Sequence, residues 1–389
     1  MLNILINSND FQGVIMEKNP KRTREIEQKI LQVRQILEEQ NLKGILVTQQ
    51  YNICWLTAGG NNHVLWDDQN SLIGILITKD KAVVIAENGD IRRVEDEEFV
   101  NYPFEYLKYE WYASNSVNES LRIAGSGRFG TDEFNSSFSD QVNINPFLSE
   151  YRSVFQSYEA DRYIKHGKEV AAIITDVVKA SKPGIRENEI ASMFAAECIK
   201  KGFTIFVQLL GGDERSLKYR HQVVTDKKIL SHYCFCGVGK FQGFTYSVNR
   251  VVSFGEPDKT LVENNKKIET VYALLNANAK IGTNLSEIYK KLPDIYVSAG
   301  ADRDEWRNHS IGGTTGYLPR ENQLMGGVDY VLRENNLIGW NPSLPGVMAE
   351  DVYLLKKEGL EFITWDNRWP SQKVNIGNVK AIRPAIMVL

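Results

Sequence analysis

The sequence predicts a two-domain α+β protein: a small α/β domain, then a larger domain whose helices cover a mainly antiparallel sheet. Three observations carry this. The chain has 389 residues, more than one hydrophobic core ordinarily serves. In its first part, helical and strand patterns alternate. Beyond Asn145-Pro146 to Tyr158, helices arrive in blocks and strands arrive as hairpins. The domains are therefore drawn at 1–155 and 156–389.

Residues 1–20 are polar and irregular and read as a loose arm. From Thr23 to Gln40, Ile26, Ile30, Val33, Ile36 and Leu37 recur at helical spacing among charges, the mark of an amphipathic helix. Leu42–Thr48 reads as a buried strand, and Asn52–Thr57 as a short helix or strand. Leu72–Thr78 and Ala82–Ala86 flank Lys79-Asp80-Lys81 as a hairpin. In the second domain, Glu159–Ser181 is a long helix closed by Lys182-Pro183-Gly184. Glu187–Lys201 is a second helix, and Thr204–Leu210 a strand. Ser231–Val238 and Gly243–Phe254 read as an antiparallel pair, Leu261–Ile281 and Ser286–Ala299 as helices, and Val347–Lys356 and Glu361–Thr364 as strands.

The net charge of −3 comes from 46 basic and 49 acidic residues, with no polybasic run, so nucleic acid and anionic membranes are poor partners. Apolar runs such as Leu72–Ile77 are far shorter than a membrane span. Met1–Asn7 lacks a basic segment followed by a cleavage site and is not expected to be a secretion signal. The four cysteines, Cys54, Cys198, Cys234 and Cys236, are too few for a disulfide framework, and a cytoplasmic location is expected. Cys234 and Cys236 would share one face of a strand.

Chemistry-bearing residues are sparse. There are five histidines. His221, in Arg220-His221-Gln222, and His309, in Asn308-His309-Ser310-Ile311-Gly312-Gly313, sit in turn-like segments, where catalytic side chains tend to be held. Glu350, in Ala349-Glu350-Asp351, is the carboxylate read with them. His166 and His232 carry no motif and are read as structural.

Several short stretches together resemble the family of methionine aminopeptidase, Xaa-Pro dipeptidase, aminopeptidase P and creatinase, which has the "pita-bread" fold. They are Lys182-Pro183-Gly184-Ile185-Arg186-Glu187-Asn188-Glu189, Gly243–Arg250, Trp340-Asn341-Pro342, and Glu350-Asp351-Val352 followed by Gly359–Thr364. The first domain looks like the N-terminal domain of the Xaa-Pro and creatinase branches. The resemblance implies five metal ligands in the metal-dependent members: two Asp, one His and two Glu. By position these fall on Cys236, Ser247, His309, Asn341 and Glu350. Only His309 and Glu350 keep the expected type, and all three lost groups are carboxylates. Two divalent ions carry a formal charge of about +4, which one carboxylate does not neutralise. No cofactor and no metal pair is therefore expected. A single zinc on Cys236, His309 and Glu350 has an acceptable donor set.

His221 matches the family histidine that handles protons on the substrate side, and creatinase hydrolyses a C–N bond with such a histidine and no metal. The resemblance thus implies a metal-independent hydrolase of a small guanidino, amidine or amide substrate, with His221 as general acid and base. Glu350 would orient that imidazole or bind a cationic group, and His309 would polarise a carbonyl or hold water. Gly312-Gly313 would let backbone N–H groups approach a ligand. Tyr317, Arg320 and Glu321 would wall the substrate, and Asn341, Ser247 and Cys236 would contact it. A binding module without catalysis is the alternative. The architecture also implies a homodimer, whose neighbour can offer His63 and Trp66 from an N-domain loop.

Overall fold

In the computed structural model, residues 16–60, 64, 66 and 68–389 are described. The chain packs as two units. One comprises residues 1–152 with 156–159 and 241–244, and the other comprises 153–155, 160–240 and 245–389. Most of the predicted arm, and His63, lie outside the described residues.

The first unit is built on a six-stranded sheet of β1 (Gly44–Gln49), β2 (Asn70–Ile77), β3 (Ala82–Glu87), β4 (Glu105–Tyr109), β5 (Arg128–Thr131) and β6 (Asp140–Asn143), in the order β4-β3-β2-β1-β5-β6. Only β2 runs against its neighbours; the other pairings are parallel. Helices pack on such sheets, so β1 is an almost unbroken buried run rather than an alternating one. The helix Pro20–Glu39 starts three residues earlier than its periodicity shows, because Asn19 caps Lys21 N and Pro20 occupies the first turn. Its apolar stripe also buries Lys29, paired with Glu25 and Glu159 at 2.8 Å each. The ambiguous stretch after β1 is the helix Gln50–Leu56.

The second unit carries two sheets. In one, β7 (Thr204–Gly212), β8 (His232–Phe241) and β9 (Phe244–Ser253) lie side by side. The other contains β10 (Gly312–Thr315), β11 (Asn322–Gln323), β12 (Leu337–Trp340), β15 (Asp351–Lys356) and β16 (Gly359–Phe362), in the order β11-β10-β12-β15-β16, all antiparallel. Between β12 and β15, β13 (Ser343–Leu344) and β14 (Val347–Met348) form a small hairpin. The predicted strand Val347–Lys356 is thus two strands, broken at Ala349-Glu350. A C-terminal hairpin, β17 (Ser371–Ile376) and β18 (Val379–Pro384), and β19 (Met387–Val388), parallel to β9, were not evident from patterning.

Helices Ser157–Ala180, Glu187–Lys200 and Lys259–Asn278 accompany these sheets. The predicted helix 286–299 is two, Leu285–Lys290 and Leu292–Ser298. Pro293 lacks an N–H and fits only a first turn, so a new helix starts there. Among the described residues no helix is long and apolar enough to cross a membrane.

A buried charge network underlies β15. Asp351 accepts from Arg250 at 2.9 Å and from Arg383 at 2.8 Å. Arg383 is fully buried, donates to Glu269 and to the Tyr353 hydroxyl at 2.7 Å each, and lies 3.7 Å over the Tyr272 ring.

Candidate functional site

Every side chain of the site belongs to the second unit. His221 lies in the segment after β7 and the short helix Glu214–Lys218. That segment is pinned to β7, since Leu210 N donates to Gln222 O at 2.8 Å and Leu209 forms a bridge with Val223. His309 follows a single turn, Glu305–Asn308, and precedes β10. Asn341 directly follows β12, and its N–H donates to Ile311 O at 2.9 Å, which aligns the two segments.

The histidines meet. Their Nε2 atoms are 3.1 Å apart and the rings are edge to face. His309 Nδ1 lies 3.0 Å from the Asn341 carbonyl oxygen. A carbonyl only accepts, so His309 Nδ1 carries the proton and its neutral Nε2 is an acceptor. His221 Nε2–H must then donate to it, and Nδ1 of a neutral His221 carries the lone pair. Burial, then the charge of His221, pushes the His309 pKa down to about 4. His309 is therefore neutral at pH 7 and accepts the His221 N–H as an uncharged ring.

This arrangement corrects two expectations. His309 does not polarise a carbonyl, because its one N–H is committed to Asn341. Glu350 does not orient an imidazole. Its Oε2 accepts from the Cys236 thiol at 3.1 Å and its Oε1 from Arg320 at 3.3 Å. Nor is Glu350 the partner of Arg250, whose carboxylate is Asp351.

A cavity of ≈140 Å³ collects His221, Cys236 on β8, Ser247 on β9, His309, Arg320, Asn341 and Glu350. Its other walls are Phe206, Val207, Leu209, Val238, Pro319 and Met348. These apolar residues carry no motif; strand patterning on β7 and β8 points to Phe206, Val207, Leu209 and Val238, and nothing in the sequence singles out Pro319 or Met348. The Oδ1 of Asn341 is buried without a hydrogen-bond partner among the described residues. Tyr317 and Glu321 do not line the cavity, against expectation. Tyr317 is fully buried against Phe155, and Glu321 accepts from Leu318 N at 3.2 Å, closing its own turn. Gly312 and Gly313 also have a different task. Gly312 has φ +108°, and a Cβ there would lie 2.1 Å from Gly339 O; at Gly313 it would lie 2.0 Å from Asn322 O. They allow β10 to pass between β12 and β11 rather than cradle a ligand.

Residues 162–369 match the model of "Metallopeptidase family M24", and residues 29–143 match "Creatinase/Prolidase N-terminal domain". The chain belongs to metallopeptidase family M24. Solved structures show that the M24 protein has this family's pita-bread fold. The prolidase of Pyrococcus horikoshii OT3 superposes with a TM-score of 0.75 at 17% identity, over 88% of this chain and 99% of that one. The Xaa-Pro dipeptidase of Bacillus anthracis gives 0.72 at 18%, over 94% and 100%. The N-terminal domain of the FACT complex subunit SPT16 from chickpea gives 0.63 at 10%, over 90% and 97%. No curated protein matches the chain.

The family name implies a metal, and the donor set of this M24 protein does not fit one. Ser247 and Asn341 are neutral. Burial and the Glu350 charge hold the Cys236 thiol well above its ordinary pKa, and its S–H is spent on Glu350. The guanidinium of Arg320 pairs with Glu350, the remaining carboxylate. Among the described residues no three His, Cys, Asp or Glu side chains are grouped to hold an ion. This also removes the single zinc on Cys236, His309 and Glu350.

The four cysteines are buried, so a colourimetric disulfide reagent is expected to titrate none in the native protein and all in denaturant; rapid native labelling of Cys236 would contradict its burial. The depressed His309 pKa also sets a pH dependence. Unfolded His309 protonates near 6.5, its folded form near 4. Between these values the unfolded state binds more protons, so stability is full above about pH 6.5 and falls as pH drops towards about 4. Urea midpoints at pH 7, 5.5 and 4.5 should decrease in that order, and less steeply in His309→Gln.

Proposed function

We propose that this M24 protein is a metal-independent hydrolase of a C–N bond in a small polar molecule, an amide, amidine or guanidino compound, with His221 as general base and acid. The observation that carries this is the relay from the Asn341 carbonyl through neutral His309 to His221 Nε2. It fixes one tautomer and leaves His221 Nδ1 as the base. His221 takes a proton from water as the oxygen bonds to the substrate carbon. The resulting imidazolium is stabilised by the Nε2–H bond to His309 and returns the proton to the departing nitrogen as the C–N bond breaks. Arg320, with five N–H donors of which two are used on Pro319 O and Glu350, stabilises negative charge developing on the substrate. The unpartnered Asn341 Oδ1 suits a substrate N–H. The cavity volume of ≈140 Å³ favours a compound smaller than a drug-sized ligand.

The test is product release, as ammonia, amine or urea, from a panel of such compounds, with and without a strong chelator. Turnover that survives the chelator in metal-free buffer is expected. Turnover that needs an added divalent ion would overturn the reading. A second reading, a binding module, is favoured by the self-contained Cys236–Glu350–Arg320 set. It predicts no turnover across the panel, with saturable ligand binding that survives His221→Ala. We further propose a homodimer, to be measured by sedimentation.

A further inference from the structure

The first unit holds a cavity of its own, of ≈220 Å³. Strands β1, β3, β4, β5 and β6 all point the same way, so their carboxyl ends share one edge of the sheet. After β1 the chain builds outward through β2, β3 and β4, then returns to place β5 and β6 on the other flank of β1. The crevice between the ends of β1 and β5 is therefore a topological switch point, where α/β sheets characteristically hold ligands. Thr48 near the end of β1 and Thr131 at the end of β5 both line this cavity.

The lining decides what fits. The floor is apolar and buried: Leu46, Val117 and Phe138. The hydroxyl proton of Thr48 goes to Asp132 at 3.0 Å and that of Thr131 to Gln141 at 3.1 Å. Each threonine oxygen is thereby left as an acceptor. Glu133 adds a carboxylate. The amides of Asn70 and Asn135 use their oxygens on Gln49 and on Ser137 N, so their NH₂ groups supply donors. Among the described residues no Lys, Arg or His lines the cavity, which disfavours phosphates and carboxylates. A wall that alternates donors and acceptors over an apolar floor matches groups that both donate and accept, namely hydroxyls.

We propose that the N-terminal unit binds a neutral, hydroxyl-rich molecule of monosaccharide size in this cavity, held by Thr48, Thr131, Glu133, Asn70 and Asn135. The site uses none of the residues around His221, so it stands whether or not that centre is catalytic. The test is calorimetry and saturation-transfer NMR on the full chain with glucose, mannose, galactose, ribose and adenosine, and with glucose 6-phosphate as an anionic probe. Ribose and adenosine separate a free sugar from the sugar of a nucleoside. Saturable binding of at least one neutral compound is expected, weakened about tenfold or more by Glu133→Gln and by Thr48→Val and unchanged in His221→Ala. Glu133 is exposed, so its variant will fold. The proposal is overturned if no neutral compound saturates, if glucose 6-phosphate binds more tightly than glucose, or if binding survives Glu133→Gln but is lost in His221→Ala.

Discussion

Replacing Arg383 by methionine is expected to lower the unfolding free energy by about 3–5 kcal/mol. The side chain is fully buried and its charge is matched by Glu269 and Asp351. Without it, Glu269 keeps no cation within hydrogen-bond reach among the described residues, while Asp351 keeps Arg250. Burial already holds the Glu269 carboxyl up to about 7 with the arginine present, so its desolvation is incompletely compensated in the native protein. Removing one partner therefore costs far more than the pair contributes over apolar residues. Adding Glu269→Gln to Arg383→Met should recover part of the loss. Urea denaturation followed by tryptophan fluorescence measures both, and a change below about 1 kcal/mol in the single variant would show the network to be weakly coupled.

The second large effect belongs to the proposed chemistry. His221→Ala should lower kcat/KM by about 10²- to 10⁴-fold, the usual range for a general acid–base group. The fold should be spared, because His221 is exposed. His309→Ala should lower kcat less, since His221 remains but its tautomer and orientation are no longer fixed. A loss confined to KM in His221→Ala would assign the histidine to binding instead. The pH profile of kcat/KM in His309→Gln, whose amide can donate to Asn341 O as well as accept, should keep the wild-type form if orientation is the role of His309.

Much of this was legible in the residues, and the failures have physical causes. Helices were readable wherever an apolar stripe ran between charges, as in Pro20–Glu39; the error at 286–299 came from reading periodicity through Pro293. β17 and β18 escaped because their more buried positions are not consistently apolar, Gln372 and the buried Arg383 among them, and β19 because it has only two residues. The sequence placed Cys236, Ser247, Asn341 and Glu350 by spacing alone, and the structure gathers them around one cavity. What spacing does not contain is direction. Tyr317 and Glu321 lie within a few residues of Arg320, yet only Arg320 turns to the cavity. The contact between His221 and His309, 88 residues apart, likewise depends on how β7 and β12 are brought together.

Glu350 and Asp351 are consecutive, yet one carboxylate lines the cavity while its neighbour anchors two buried arginines. Successive residues of an extended chain face opposite sides, so a slip by a single position turns each acid to the wrong face. The tight β13–β14 hairpin just upstream is what counts the residues. Length changes between Pro342 and Ala349 should therefore be among the least tolerated alterations in the molecule, more harmful than most substitutions at the same positions: one inserted residue would drive the cavity's acid into the arginine nest and push the nest's own acid into the apolar, fully buried place of Val352.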